Sequence, residues 1–347
     1  GTSNNITVEK DSWTDNTGAV NGSGKIPLVE NADKNEVPQT VTLSGGADKI
    51  PALLAVNELI GSEADGRGLH AFDAVDDINI VAIPDALGDI SVIKAAYTYC
   101  EKRKDCFLVA DAPMGVPVTS TTEPYGILEI KQKNYNSSFG AVYYPWISVS
   151  DPLHPKVNKL VPPSGAVAGI YSNTDVKRGV HKAPAGIGEG YVKSAMDLEK
   201  VLTKGEHDTL NEPGINVIRY FPGSGICVWG ARTLSTDPEW KYINVRRLFL
   251  YLEESIYKGT QWVVFEPNDT SLWAKVKRNL TAFLMNVWRN GALFGTKAEE
   301  AFYIKVDAEN NPPETRDLGQ LIIEVGVAPV KPAEFVIIRI SQKTLTK

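Results

Sequence analysis

From residue 78 onward the chain alternates short apolar runs with helix-length amphipathic stretches: 78–83, then 89–104, then 107–110, and later 141–144. Parallel strands cannot be joined by tight hairpins. They need long crossovers, and helical crossovers cover the faces of the sheet they connect. The pattern predicts an α/β fold built on a parallel sheet in three layers.

Past Pro162-Pro163, residues 164–173 read as a short helix, and 215–221 and 226–233 as two more strands. Asp237-Pro238-Glu239 reads as a helix start, with Asp237 at the N-cap and Pro238 in the first turn. That helix carries Val245, Leu248, Phe249, Leu252 and Ile256 on one face and is expected to stop at Gly259. Residues 261–265 read as a strand. Asp269 is expected to cap a second long helix, with Leu272, Trp273, Val276, Leu280, Phe283, Leu284, Val287 and Trp288 at helical spacing and Gly291 at its end. Strands at 301–306, 320–328 and 334–340 complete an α+β domain.

A chain of 347 residues is long enough for two cores. The expected division is an arm or outer-domain remnant over 1–45, rich in Asn, Asp, Gly, Ser and Thr, an α/β domain over 46–235, and a C-terminal α+β domain with a terminal arm over 236–347. The start, Gly1-Thr2-Ser3, has no Met and no leader-like pattern, which predicts a missing upstream segment.

A net charge of −6 opposes a large nucleic-acid footprint. No apolar run approaches the roughly 20 residues of a membrane-spanning helix, so no membrane insertion is expected. Cys100, Cys106 and Cys227 form no framework and read as buried thiols of a protein made in a reducing cytoplasm.

His70, His154, His181 and His207 are scattered without ligand spacing, and no metal or other cofactor is expected. The run Gly186-Ile187-Gly188-Glu189-Gly190 departs from phosphate-loop patterns and reads as a flexible surface loop. Arg246-Arg247 reads as a solvated or interface face. Trp229, Trp240, Trp262, Trp273 and Trp288 lie in apolar patterns and read mostly as core.

Several longer strings are more specific: YPWI at 144–147, PPSGAVAG at 162–169, GARTL at 230–234, YINVRRL at 242–248, GTQWVVFEPN at 259–268 and EVGVAPVKPAEF at 324–335. In this order they resemble the contractile-tail sheath proteins of phages, prophages and phage-derived particles, from about residue 70 to the end. The resemblance implies a subunit that forms helical rings around an inner tube, is held extended, and contracts to drive the tube through a target envelope. It implies as partners further copies of the chain, the tail tube protein, and baseplate and tail terminator proteins. It places the chain in a virion tail or phage-like particle assembled in the bacterial host cytoplasm.

It also implies a subtilisin-like fold for the α/β domain, so a serine peptidase is the rival reading. Val167-Ala168-Gly169 resembles the end of the subtilisin nucleophile motif, and counting back places Val161 at the serine position. Valine cannot attack a carbonyl. Ser164 is nearby but lacks the preceding Gly-Thr turn, and no histidine sits in a triad context. Asp85 and Asp111 follow apolar strands and read as loop or cap aspartates. No catalytic residue is expected.

Two interface candidates remain. Lys275, Arg278 and Arg289 fall opposite Leu280 and Val287 on a helical wheel, a basic stripe on an acidic protein. The polar tail Ser341, Gln342, Lys343, Thr344, Leu345 follows a strongly apolar segment and cannot form a core of its own. With the resemblance, the terminal arms are expected to add strands to a neighbouring subunit.

Overall fold

The computed structural model describes residues 56–154 and 156–334. Its central element is a five-stranded sheet formed by β1 (Ile80–Ala82), β2 (Phe107–Asp111), β3 (Gly140–Tyr144), β7 (Ile215–Phe221) and β8 (Gly225–Val228). The spatial order is β8-β7-β3-β2-β1. The first three strands and β7 run parallel, with Val81 beside Leu108, Leu108 beside Gly140 and Val142 beside Ile215. The β7–β8 pair is an antiparallel hairpin that closes one edge.

Period-two alternation divides the sheet's side chains between two cores. Leu108, Ala110, Val142, Tyr144, Ile215 and Val217 face helices α1 (Ile90–Arg103), α2 (Ile127–Asn134) and α4 (Lys204–Asn211). Phe107, Val109, Ala141, Tyr143 and Ile218 face α3 (Ser164–Arg178) and the first half of α5 (Ile243–Thr260). Helices on both faces complete the three layers. A small antiparallel sheet, with β4 (Ile147–Ser150) between β5 (Asn158–Val161) and β6 (Asp197–Leu198), flanks this body. Cys100, Cys106 and Cys227 are buried free thiols.

A third core gathers Leu248 and Leu252 of α5, six apolar side chains of α6 (Thr270–Arg289) and Ile304 of β9 (Phe302–Lys305). β9 pairs antiparallel with β10 (Glu324–Val327). Asp269 caps α6 by accepting the Leu272 N–H at 2.8 Å, and Gly291 follows with φ 79°, as the local signals require.

Elsewhere the structure corrects the sequence reading. Asp237 starts no long helix. Its carboxylate accepts the Glu239 N–H at 2.9 Å in a turn, and α5 begins only at Ile243. Residues 241–243 are held extended by pairing with 231–233: Thr233 N–H donates to Lys241 O at 2.8 Å, and Ile243 N–H to Ala231 O at 3.0 Å. Gly259 does not stop α5, which runs to Thr260.

Residues 261–265 are not a strand. Gln261–Val263 is a 3₁₀ turn, Trp262 is exposed, and Phe265 is fully exposed in the left-handed region at φ 71°. Gly186–Glu189 forms one helical turn instead of a loop, and the helix at Ser164 extends to Arg178. The expected arm at 1–45 lies outside the described residues. So do the strand expected at 334–340, apart from Glu334, and the tail Ser341, Gln342, Lys343, Thr344, Leu345.

Candidate functional site: a buried serine and two exposed surfaces

The two residues weighed for a peptidase nucleophile, Val161 and Ser164, lie where β5 passes into α3. Val161 ends β5, and Ser164 opens α3 fully buried. The Ser164 N–H donates to Asp111 Oδ1 at 2.7 Å, so Asp111, at the end of β2, satisfies an orphan amide at the α3 N-terminus and serves as a helix cap. Burial pushes the Asp111 carboxyl up to about 7, against the opposing pull of the Ser164 amide and hydroxyl. That hydroxyl makes no hydrogen bond of normal geometry.

Three of the four histidine rings are engaged elsewhere. His70 bonds Asp73 at 3.0 Å, His154 bonds Asp151 at 2.9 Å, and His207 Nε2 lies 3.1 Å from Trp229 O. The backbone carbonyl of His181 accepts from Asn244 Nδ2 at 2.8 Å. A triad needs serine, imidazole and carboxylate in mutual reach. Here a buried serine and a capping aspartate meet without a histidine. Asp85 sits exposed in the turn Pro84–Ala86. Among the described residues no group of three His, Cys, Asp or Glu side chains could hold a metal ion.

Arg246 and Arg247 are not a solvated face. Both are buried. The Arg246 guanidinium lies 3.5 Å from the Trp240 ring centroid and 4.5 Å from that of Phe139, and donates to Ser138 Oγ at 2.8 Å. Arg247 forms a bidentate pair with Asp175 at 2.8 and 2.6 Å and covers the Tyr171 ring. The two arginines fasten α5 to the segment before β3 and to α3. A third buried cation, missed in the sequence, is Lys131 on α2. Its ammonium donates to Tyr135 O at 2.7 Å and Leu234 O at 2.8 Å, and burial lowers it to about 8.

The basic stripe is present as a surface. Leu272, Trp273, Val276, Leu280, Leu284 and Val287 bury one side of α6, leaving Lys275, Arg278 and Arg289 exposed on the other. Lys277, which the wheel reading passed over, is exposed beside them and lines a shallow groove with Ala274, Arg278, Thr281, Ala282 and Met285. The helix Thr270–Arg289 contains four cationic residues and no carboxylate. None of the four forms an ion pair among the described residues.

The second surface is the β9–β10 pair. Phe302 stands beside Val327 and Lys305 beside Glu324, and the sheet has only these two strands among the described residues. Just past β10 the chain bridges back to 292–294 through Leu293 and Pro329, but along β9 and β10 themselves each strand has one outer edge without a strand partner among the described residues, the arrangement that accepts an added strand.

Comparison with known proteins matches residues 67–234 to the phage tail sheath protein central domain and residues 235–343 to the phage tail sheath C-terminal domain. The tail sheath protein of Vibrio phage KVP40 is 29% identical over 52% of this chain, and the chain spans only 26% of that relative's length. Among solved structures, the anti-feeding prophage helical sheath in its contracted state is 35% identical with a TM-score of 0.66, covering 82% of this chain and 76% of its own. The sheath complex of an extracellular contractile injection system, PVC, also contracted, is 33% identical with a TM-score of 0.68, covering 78% and 73%.

Proposed function

The chain belongs to the phage tail sheath protein family, and from that membership we propose that it is a structural subunit of a contractile sheath. Copies polymerise helically around an inner tube and contract to drive the tube through a target envelope. The observation that carries the reading is the likeness to two contracted sheaths at 33–35% identity over about four-fifths of the chain.

In this reading the basic face of α6, with Lys275, Arg278 and Arg289, meets the tube or the next subunit. Terminal arms, including Ser341, Gln342, Lys343, Thr344 and Leu345, add strands to a neighbour, and the open edges of β9 and β10 suit them as acceptors. Self-association and baseplate association have parallels in the neighbours, which include an anti-feeding prophage baseplate. Tube and terminator proteins complete the partners, in a particle assembled in the host cytoplasm.

The organisation we favour is an arm over 1–45, a subtilisin-like sheath domain over 46–235, and a C-terminal domain over 236–347. The 46–235 domain is then a relative of peptidases without their activity. Val161 at the nucleophile position and the capping role of Asp111 support this.

Negative-stain microscopy of the overexpressed protein tests the main reading. Hollow tubes are expected, and discrete small particles alone would overturn it. An active-site serine probe tests the rival. No labelling is expected, whereas stoichiometric labelling lost on Ser164→Ala would establish a peptidase.

A further inference from the structure

Residues 330–334 form a strap that leads from β10 toward the terminal segment, and it is fixed at both ends. Val330 N–H donates to Ala292 O at 3.2 Å, and its carbonyl accepts from Asn244 Nδ2 at 3.3 Å. Between the ends, Lys331 and Ala333 are exposed, so apolar burial holds the strap only weakly.

Glu334 is held very differently. Its Oε1 accepts from Arg232 Nε at 2.6 Å and from Asn211 Nδ2 at 2.9 Å. Its Oε2 accepts from Arg232 Nη2 at 2.7 Å and from Tyr242 Oη at 3.2 Å, with Lys241 Nζ at 3.8 Å. Burial raises the carboxyl's pKa, but the bonds from Arg232 and Asn211 outweigh it and leave the group below its ordinary value.

The bonding continues inward. Arg232 Nη1 donates to Asn211 O at 2.7 Å and Glu212 O at 3.0 Å. The Arg232 N–H donates to Asn216 Oδ1 at 2.8 Å, and Asn216 Nδ2 donates back to Arg232 O at 2.8 Å and to Val142 O at 3.3 Å. Asn216 lies in β7 and Val142 in the adjacent β3. An unbroken series of hydrogen bonds thus joins the last described residue of the strap to two parallel strands at the middle of the central sheet. Its members come from three of the family-like strings: Arg232 from GARTL, Tyr242 from YINVRRL, and Glu334 from EVGVAPVKPAEF.

We propose that the Arg232–Glu334 pair is the anchor through which tension on the terminal segment passes into the central sheet. The proposal rests on the reading that terminal arms link neighbouring subunits. Force passing along the backbone from the C-terminal side meets Glu334 before any other described residue. A bidentate, charge-assisted pair is directional and strong, and breaking it strands a buried guanidinium. Without it, the weakly buried strap would peel from the surface while the arm stayed paired to its neighbour.

The test uses full-length protein assembled into sheaths. Glu334→Gln keeps the side chain's shape and removes its charge. The double variant Arg232→Met/Glu334→Leu replaces the pair with apolar groups, a change that folded proteins often tolerate. Both are checked for folding by circular dichroism and then subjected to a fixed shear or guanidinium challenge. Loss of long tubes is expected in whichever variant folds, with peptide-level hydrogen exchange accelerated at 330–334. Tubes from a folded variant that match wild type in length and resistance would overturn the anchor.

Deletion of residues 341–347 runs in parallel. If the deletion weakens tubes while both anchor variants behave as wild type, only the anchor fails. If the deletion leaves tubes unchanged, the arm reading fails and the anchor with it.

Discussion

Above about pH 7 Asp111 holds a buried charge at a cost the protein could avoid. Its carboxyl is raised from 3.8 to about 7, so between those values the folded state binds a proton that the unfolded state has released. Stability attributable to this group is therefore greatest below pH 4 and falls as pH rises through 7. Asp111→Asn keeps an acceptor for the Ser164 N–H and supplies an amide donor that the Ser164 hydroxyl can accept. Chemical denaturation should find the variant about 2–4 kcal/mol more stable than wild type at pH 8, with little or no advantage at pH 4. A variant less stable at both pH values would show that the ionised carboxylate is needed as a cap. Arg247 presents the opposite case. Truncating it to Ala leaves Asp175 without its bidentate partner and uncovers the Tyr171 ring. A loss of about 3 kcal/mol is expected, seen as a lowered midpoint in thermal unfolding; a change within about 0.5 kcal/mol would mark the pair as surface-like.

At the scale of elements, α6 shows what a sequence discloses. Its cap, apolar stripe and terminal glycine act within one helix, and all three lie where the spacing puts them. The α5 boundaries were hidden because a tertiary contact set them: the pairing of 231–233 with 241–243 prevailed over the capping signal of Asp237-Pro238. Arg246 and Arg247 were misread for a related reason. Wheel reasoning assumes one buried face, whereas α5 is enclosed between the sheet, met by Ile243 and Leu250, and α6, met by Leu248 and Leu252. On such a helix, cations that point neither way into apolar core stack on rings and pair with carboxylates. The parallel run of the first strands followed from the alternation of apolar runs with helix-length stretches, while the exposed turn at 261–265 carried the same apolar letters as a strand. For α6 itself, Lys275→Glu/Arg278→Glu should leave circular dichroism unchanged, since both side chains are exposed. It should abolish salt-sensitive co-assembly with the tube protein. Unaltered co-assembly and salt response would leave the stripe as solvated surface.

At the scale of the molecule, the open edges of β9 and β10 and the polar tail raise one question, whether the chain's end serves its own domain or another copy. No monomer sequence can answer it from propensity, because an exchanged strand has the same letters whether its partner edge lies within the chain or on a neighbour. Geometry supplies the asymmetry. A two-stranded sheet is at best marginally stable by itself and gains most from added strands. Residues 341–347 are too polar to order alone. If the tail is an exchanged arm, its removal should spare the fold and cost the assembly. Full-length protein and a version ending at residue 340 should give matching circular dichroism and thermal midpoints, since a run as polar as 341–347 offers little apolar surface to a core. Under microscopy the truncated protein should form short, easily broken tubes or none. Adding a peptide of residues 341–347 in excess should not restore them, because a separate strand can fill an edge but cannot transmit tension to a second subunit. Truncated protein that folds normally and assembles sheaths of ordinary length and stability would show that the tail tethers nothing, and the linkage between copies would then have to reside in the packed faces of the subunits themselves.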